Sequence, residues 1–278
     1  MNKDQLKKVL QAYKLKPNHA SGQHFLIDQG VLEKIVTAAD LVSTDTVLEI
    51  GPGLGVLTEA LLSRVGRVVA VELDRELIKV LRANFVNRQL ELHQANILSI
   101  GFETLRMSQP YKIVANLPYS VTSAFFKKFL AETPRPETIV VLIQKEVAMR
   151  ICAAPGQMSL LTLSVQLYGT PEIIATVKPE SFYPKPAVDS AILKISQIAS
   201  DAEVSRQLTG VSEHHFWQLA RIGYSAKRKK LYNNLAAGLR LSSVDVQKAL
   251  VATKIDVDCR AQNLTIADWV RLAKQLTL

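Results

Sequence analysis

The middle of the chain alternates short apolar runs with amphipathic segments, and this alternation limits the fold more than any other feature. The predicted strands cover residues 46–50, 67–72, 90–93, 111–115 and 138–143. The predicted helices between them cover residues 56–64, 75–85 and 121–131. Repeated strand–helix units with short connections are typical of a mostly parallel sheet covered by helices on both faces. The sequence therefore predicts a doubly wound α/β domain.

The last third of the chain changes in texture. Apolar runs at 160–167, 173–177 and 188–195 predict further strands near one sheet edge, and small polar residues at 198–210 predict a linker. Beyond the linker, helices are predicted at 213–223, 229–237, 244–252 and 266–276, the second stopped by Gly238. Ser242 and Thr265 each precede an Asp by three positions, as residues that start helices do. We therefore predict a basic arm at 1–20, an α/β domain at 21–197 and an all-α domain at 211–278.

Composition excludes several classes of protein. With 48% hydrophobic and 21% charged residues, the 278-residue chain is typical of a globular protein with a substantial core. No apolar run is long enough to span a bilayer, and the lysine-rich N-terminus has no apolar core of a secretory signal. Cys152 and Cys259 are far apart, and the five histidines form no ligand spacing. We expect a cytosolic protein with reduced thiols and no structural metal.

The net charge of +9 is concentrated at the two ends of the chain. Residues 1–20 carry five Lys and one Asp, and residues 200–278 carry 12 basic and 7 acidic residues. Between them, 17 basic residues balance 17 acidic ones. Basic ends on a neutral body are typical of a protein that grips a phosphate backbone. A solvated basic surface is the alternative interpretation.

A glycine-rich turn follows the first predicted strand. Gly51, Gly53 and Gly55 are spaced G-x-G-x-G, and Glu72 ends the next predicted strand. Such glycines let a ligand approach the backbone, and the acidic residue is placed to accept hydrogen bonds from ribose hydroxyls. Dinucleotide enzymes use the longer spacing G-x-G-x-x-G, with a pyrophosphate at the helix N-terminus. The shorter spacing favours S-adenosylmethionine, which has no phosphate; an ordinary turn is the alternative.

The run Asn116-Leu117-Pro118-Tyr119 ends another predicted strand. We expect the Asn116 side-chain oxygen and the Leu117 carbonyl each to accept one hydrogen of an adenine N6 amine, stabilising the positive charge that develops during methyl transfer. Pro118 fixes the turn, and Tyr119 offers a face for stacking, a contact of about 1–3 kcal/mol per base. A sulfonium methyl is already electrophilic, so alignment matters more than a strong base. The run predicts a methyltransferase that acts on a flipped or looped-out base.

Two further candidate residues lie outside these motifs. Asn96 follows the third predicted strand and is placed to accept from the adenine amine of the cofactor, with the Ile97 backbone near a ring nitrogen. Phe182 begins a loop with two prolines and is placed to sandwich the target base opposite the tyrosine. The alternatives are a plain turn residue for Asn96 and an aromatic ring packed on the core for Phe182.

Over essentially its full length, the chain resembles the ribosomal RNA adenine N6,N6-dimethyltransferases. The resemblance rests on SGQHFL at 21–26, EIGPGLG at 49–55, ELD at 72–74, NLPY at 116–119, FYPKPAVDS at 182–190 and RIGYSAKRKKL at 221–231. It implies a Rossmann-like methyltransferase sheet with a smaller all-α C-terminal domain. It also implies a cofactor site lined by His24, Leu26, Gly51, Glu72, Asn96 and Asn116. His24 stands where Asn is usual and Asn96 where Asp is usual, so we expect altered cofactor affinity with activity retained.

The resemblance also implies a substrate. Members of this family dimethylate two adjacent adenosines near the 3′ end of small-subunit rRNA during ribosome biogenesis, and we expect a monomer that acts in the cytoplasm on rRNA in the assembling subunit. The residues expected to contact RNA phosphates are Arg221, Lys227, Arg228, Lys229 and Lys230. Such contacts position a protein without reading sequence. A nuclear import signal is the rival interpretation of this run, and it fits poorly with a run predicted to continue into a helix.

Three other functions compete with this one. Enzymes that methylate large-subunit rRNA share the predicted catalytic half, and only the helical domain argues against them. A non-enzymatic RNA- or assembly-binding protein would not need the intact glycine turn and Asn116 to Tyr119 run. An NAD-linked oxidoreductase is disfavoured by the glycine spacing and by the lack of an obvious acid or base at a hydride site.

Overall fold

A computed structural model describes residues 3–15, 17, 23–86 and 89–276. The chain divides into two compact units, one comprising Met1–Ala148 with Thr170–Ile198 and the other comprising Met149–Gly169 with Ala199–Leu278. The segment Met149–Gly169 thus groups with the C-terminal unit, although the sequence suggested that it belongs to the α/β domain. Within the described residues, every helix is too short or too polar to cross a membrane.

The N-terminal unit is built on a seven-stranded sheet. Its strands are β2 Thr46–Ile50, β3 Arg67–Glu72, β4 Leu90–Gln94, β5 Lys112–Asn116, β6 Thr138–Gln144, β7 Thr170–Val177 and β9 Ser190–Ser196. The strand order is β4-β3-β2-β5-β6-β9-β7, parallel from β4 to β6 and antiparallel for β9 and β7. A separate two-stranded sheet pairs β1 Phe25–Leu26 with β8 Phe182–Tyr183.

The predicted doubly wound fold is confirmed, and the bounds of β2 and β3 match the predicted strands. Their apolar residues are buried on both faces, as in parallel sheets covered by helices. The strand order reverses between β2 and β5, because β3 and β4 lie on one side of β2 while β5 and β6 lie on the other. In open α/β sheets ligands bind at such a switch point, beyond the carboxyl ends of the strands.

Helices cover the sheet and its edges. Those of the N-terminal unit are α1 Lys3–Ala12, α2 Gln29–Ala38, α3 Val56–Leu62, α4 Arg75–Asn84, α5 Thr122–Ala131 and the start of α6 Lys145–Ile151. The described part of the predicted basic arm is therefore mostly helical. In α1, Leu6 and Leu10 are buried in a cluster with Phe25, Leu54 and Leu77, so this helix packs on the unit. Positions 1, 2, 16 and 18–20 of the predicted arm lie outside the described residues.

The C-terminal unit is helical, as predicted, but two segments differ in secondary structure from the prediction. Its helices are α7 Leu160–Gln166, α8 Asp201–Leu208, α9 Glu213–Gly223, α10 Leu231–Leu239, α11 Ser243–Ala252 and α12 Ile266–Gln275. The predicted strand at 160–167 is wrong, because Ser159 caps a helix in a reciprocal pair of bonds with Thr162. A short apolar run fits either element, and here the cap decides.

The predicted linker also contains a helix. Ser200 accepts from the Glu203 amide while the Glu203 side chain accepts from the Ser200 amide, so the small polar residues that suggested a linker start α8. The predicted helix starts at Ser242 and Thr265 are confirmed, since each side chain accepts from the amide three residues on.

Gly238 does not end its helix, contrary to expectation. A Cβ at this position would lie 2.3 Å from Ile222 Cγ2, so the glycine allows α10 to pack closely on α9. The helix continues to Leu239 and ends at Arg240, whose backbone is left-handed with φ 58°.

Candidate functional site

The glycine turn after β2 requires its glycines. Gly51, Gly53 and Gly55 have φ values of 65°, 59° and 85°, the left-handed region that side chains with a Cβ rarely adopt. A Cβ on Gly53 would lie 3.2 Å from the Phe25 ring, and one on Gly55 would lie 2.4 Å from the Phe85 ring. The turn thus presents bare backbone at the switch point of the sheet.

Glu72 holds this turn from the end of β3. Its carboxylate accepts from the Gly53 amide at 3.1 Å, and its other oxygen accepts from the amides of Leu73 at 2.8 Å and Asp74 at 3.0 Å. The residue is 7% exposed. Burial raises the pKa of Glu72, and the three amides oppose that shift. The carboxylate is therefore fixed against the backbone of the glycine turn.

Asn116, the last residue of β5, is oriented by a distant part of the chain. Its side-chain nitrogen donates to the His24 carbonyl at 2.9 Å. Because that hydrogen bond uses the donor end of the carboxamide, the oxygen is the end that remains to accept from a ligand. The geometry therefore leaves Asn116 Oδ1 available as an acceptor.

The residues after Asn116 are also held by hydrogen bonds, to strands β6 and β9 of the sheet. The Leu117 amide donates to the Leu142 carbonyl at 3.1 Å, and Pro118 starts a short 3₁₀ turn, Tyr119–Val121. The Tyr119 hydroxyl is 2.7 Å from the Ser190 hydroxyl. Burial raises the pKa of the Tyr119 phenol, so the ring is neutral at physiological pH. Its position is fixed before any ligand binds.

The segment before β1 contacts both Tyr119 and the loop with two prolines that begins at Phe182. His24 Nδ1 lies 2.7 Å from the Pro184 carbonyl, and its ring centre lies 5.7 Å from that of Tyr119. Leu26 of β1 pairs with Phe182 of β8. Two residues of the predicted 21–26 motif, Ser21 and Gly22, lie outside the described residues.

A single cavity joins the glycine turn to the tip of β5. Its lining includes Gln23, His24, Phe25, Leu26, Glu49, Gly51, Pro52, Gly53, Asn116, Leu117, Pro118 and Tyr119. Residues far apart in sequence are thus brought together from the N-terminal segment and from the ends of β2 and β5. Residues of the predicted motifs at 23–26, 51–53 and 116–119 thus line one cavity.

Three predicted site residues, Glu72, Asn96 and Phe182, are not among those that line this cavity. Asn96 is exposed, and its side-chain oxygen accepts from the Leu98 amide at 2.9 Å. Phe182 is 4% exposed and packs in an apolar cluster with Leu26 and Leu32. In this structure Asn96 starts a turn and Phe182 packs on the core, the two alternatives that the sequence left open.

Glu49 lines the cavity but was not predicted as a site residue. Glu49, in β2, is 1% exposed, and its Oε2 has no hydrogen-bond partner among the described residues. Burial raises the pKa of Glu49 to about 8, although the nearby Thr58 hydroxyl opposes the shift. That hydroxyl makes no hydrogen bond within the described residues. A carboxylate inside an apolar strand was the available signal, because a buried unpaired charge is costly without a ligand.

The basic run lies in the C-terminal unit. Arg221 is exposed on α9, Lys227 to Lys229 form an exposed turn, and Lys230 is the N-cap of α10. Lys230 Nζ lies 2.6 Å from Asp258 Oδ1, which raises the pKa of this lysine. The run leads directly into a helix, as predicted, but α10 begins at Leu231 and not at 229.

The turn is held in place by one buried side chain. Asn234 Nδ2 donates to the Gly223 carbonyl at 2.6 Å and to the Ala226 carbonyl at 3.1 Å, which closes the loop between α9 and α10. The exposed cations of Lys227 to Lys229 thus lie on a turn whose backbone is held by Asn234.

The sequence as a whole matches the family model for ribosomal RNA adenine dimethylase over residues 14–278. The chain belongs to this family. A ribosomal RNA small subunit methyltransferase A from Dehalococcoides mccartyi is 47% identical over 270 residues, 96% of this chain and 91% of that protein. The protein of the same name from Alkaliphilus metalliredigens is 36% identical over 278 residues, 97% of this chain and 95% of its own.

Two solved structures resemble the fold closely. A dimethyladenosine transferase from Plasmodium falciparum superposes with a TM-score of 0.73 and 26% identity, covering 90% of this chain and 96% of its own. The 23S rRNA methyltransferase ErmE gives a TM-score of 0.68 at 26% identity, covering 91% of this chain and 99% of its own. Because the match to ErmE also covers most of the chain, the presence of the helical unit does not distinguish this fold from that of a 23S rRNA methyltransferase.

Proposed function

We propose that this protein transfers methyl groups from S-adenosylmethionine to N6 of two adjacent adenosines near the 3′ end of small-subunit rRNA, giving N6,N6-dimethyladenosine during ribosome biogenesis in the cytoplasm. Family membership and the 47% identity to a small-subunit methyltransferase support the choice of substrate. The observation that carries the proposal is the single cavity shared by the glycine turn and the Asn116 to Tyr119 run. Methyl transfer needs the donor and the amine in one continuous space.

The residues at the glycine turn fit S-adenosylmethionine. Gly51 and Gly53 leave the backbone bare, Glu72 offers a carboxylate for the ribose, and Glu49 Oε2 is an unpartnered acceptor suited to a cationic ammonium group. His24, Leu26 and Asn116 would complete the cofactor site, with Asn96 at the adenine end. When bound, the cofactor supplies a methyl group activated by a positively charged sulfur.

The protein's own contribution to the chemistry is alignment of the target amine. Asn116 Oδ1 and the Leu117 carbonyl would each accept one N6 hydrogen, which draws the lone pair out of the purine ring and stabilises the growing positive charge. Asn116 is already turned for this by its bond to the His24 carbonyl. No side chain needs to act as a strong base, since the proton leaves a cationic amine after methylation.

The target base would be held by stacking. Tyr119 offers its ring, and the hydroxyl contact with Ser190 anchors the far end of that side chain. Pro118 fixes the backbone between the acceptor carbonyl and the ring. The role predicted for Phe182 would require its ring to leave the apolar cluster, so Tyr119 is the primary stacking face in this proposal.

Recognition of rRNA would use the exposed cations of the C-terminal unit. Arg221, Lys227, Arg228 and Lys229 would contact phosphates, while the pairing of Lys230 with Asp258 reduces its share. These contacts position the RNA and do not read its bases.

Methylation of large-subunit rRNA is a second candidate function, favoured by the coverage of the ErmE structure. The test is transfer of labelled methyl groups by the full-length protein to naked small-subunit rRNA, to assembling small subunits and to large-subunit rRNA, with digestion to nucleosides. We expect dimethyladenosine at two adjacent positions of small-subunit RNA. Label confined to large-subunit RNA would replace the proposal, and RNA binding without any label would indicate a non-enzymatic assembly protein.

A further inference from the structure

A buried lysine lies in α5, outside the cavity described above. The Lys128 side chain is largely enclosed, with 8% of the residue exposed. Burial lowers the pKa of Lys128, and the negative charge of Glu132 offsets part of that shift. A lysine is rarely buried unless its ammonium group has partners, because the charge is costly to remove from water.

The partners of this ammonium group are two carbonyls and two aromatic rings. Lys128 Nζ donates to the Ile97 carbonyl at 2.9 Å and to the Ile100 carbonyl. It also lies 5.6 Å from the centre of the Phe102 ring and 5.9 Å from that of Phe129. Cation–π contacts of this kind stabilise a desolvated ammonium group. Both carbonyls belong to one short turn.

That turn begins at Asn96. The Asn96 side-chain oxygen accepts from the Leu98 amide at 2.9 Å. The Asn96 main-chain carbonyl accepts from the amides of Ser99 and Ile100, both at 3.0 Å. No further helical turn follows to donate amide hydrogens to the last carbonyls of this turn. A cation near such carbonyls is favourable. Lys128 thus binds carbonyls of a turn that starts at Asn96.

The other end of the turn is fixed to the cofactor side of the sheet. The Ala95 amide donates to the Glu72 carbonyl at 3.0 Å, so the residue before Asn96 is anchored to the end of β3. With Lys128 at one end and Glu72 at the other, the position of Asn96 and of the Ile97 amide is determined from both sides.

We propose that Lys128 is a positioning residue for the cofactor's adenine ring, acting through the turn at 96–100. The inference rests on the proposed use of S-adenosylmethionine and on the assignment of Asn96 to its adenine end. Lys128 does not touch the cofactor in this scheme. It fixes the carbonyl end of the turn, and the turn then fixes the Asn96 carboxamide and the Ile97 amide, which recognise the adenine edge.

The test compares Lys128→Met with Lys127→Met in the full-length protein. Lys127 is the exposed neighbour on the same helix, so it controls for loss of a charge and for the effect of methionine on the helix. The probes are S-adenosylhomocysteine and S-inosylhomocysteine, which differ in the exocyclic amine of the base, with binding measured by calorimetry. We expect Lys128→Met to weaken S-adenosylhomocysteine about tenfold, as loss of charge-assisted hydrogen bonds predicts, and the inosine analogue by about twofold or less.

Further measurements separate positioning from a general loss of structure. The cofactor KM of Lys128→Met should rise more than kcat falls, Lys128→Arg should recover most of the affinity, and Lys127→Met should match the wild type. Adding Lys128→Met to Asn96→Ala should cost little more than Asn96→Ala alone, because both act on the same turn. Should Lys128→Met not fold, Phe102→Leu removes one ring from the ammonium group and is expected to lower discrimination between the two probes in the same direction.

The outcomes are distinct. An unchanged ratio of affinities for the two probes in a folded Lys128 variant, or in Phe102→Leu, would overturn the positioning role. Failure of the wild-type protein to bind S-adenosylhomocysteine would instead overturn the proposed function itself.

Discussion

The cavity at the strand ends and the basic turn of the C-terminal unit differ in how their polar groups are held. In the cavity, Asn116, Tyr119 and His24 are each hydrogen-bonded to another segment of the same unit. In the turn, the backbone is fixed by Asn234 while the cationic side chains extend into solvent. The difference indicates that methyl transfer depends on the placement of single atoms, whereas phosphate binding depends on the number of charges within reach.

The largest effect is expected at Asn116. Asn116→Ala removes a proposed acceptor for the N6 amine, and kcat should fall by about 100-fold or more, as when one preorganised hydrogen-bonding group is removed from other active sites. Methyl transfer and RNA binding should be measured on the same preparation, and RNA affinity should stay within about twofold of the wild type. If the variant kept its kcat, the contrast between cavity and basic turn would fail, because methyl transfer would then not depend on Asn116 Oδ1.

The basic turn should behave in the opposite way. Replacing Lys227, Arg228 and Lys229 by Ala should weaken RNA binding and reduce the slope of log affinity against log salt by about 1 for each phosphate that is no longer bound. At saturating RNA the rate should be retained. Lys248→Ala, in α11, provides a control for the removal of an exposed lysine elsewhere in the unit. An unchanged salt slope in the triple variant would contradict the assignment of this turn to phosphate binding.

A third experiment examines the shape of the glycine turn. Gly53→Ala forces a Cβ into left-handed backbone and within 3.2 Å of the Phe25 ring, so we expect a loss of about 1–2 kcal/mol in the free energy of unfolding. Cofactor affinity should fall as well, measured by calorimetry with S-adenosylhomocysteine. Gly101→Ala is the matched control, because a Cβ there would meet nothing within 4 Å. Equal stability of the two variants would show that the turn tolerates side chains.

The last experiment concerns pH. Burial raises the pKa of Glu49 from its ordinary 4.5 to about 8, so the folded protein keeps a proton that the unfolded chain releases. Stability from this group is therefore complete below pH 4.5 and is lost as pH rises toward about 8. Glu49→Gln lacks this dependence. Its Tm relative to the wild type should increase steadily between about pH 5 and 8. A constant difference across that range would mean that Glu49 titrates normally.

Much of the fold could be predicted because its signals are local. The strands β2 and β3 are continuous apolar runs that end in a glycine turn and an acidic residue, and their predicted bounds match the structure. The helix starts at Ser242 and Thr265 were equally predictable from four-residue patterns. Ambiguity arose where one local pattern serves two structures, as in the apolar run that forms α7 and in the polar segment that forms α8.

The site was predictable in its motifs and not in its contacts. The turn at Gly51 and the run at Asn116 end neighbouring strands, so their approach follows from the sheet order. The bond from Asn116 to the His24 carbonyl spans 92 positions and depends on the pairing of β1 with β8, which two-residue strands do not reveal in a sequence. The same holds for Lys128, whose carbonyl partner at Ile97 lies 31 positions away and gave no pattern to detect.

The contact between Asn116 and the His24 carbonyl has a consequence for which amino acid can end β5. A carboxylate there would have no hydrogen to offer, and its oxygen would face the carbonyl oxygen at the present 2.9 Å separation. Aspartate would therefore be repelled by the protein's own main chain, even though it could accept a hydrogen bond from a substrate amine equally well. The choice of an amide at this position is therefore imposed by the neighbouring backbone, in addition to its proposed role toward the base.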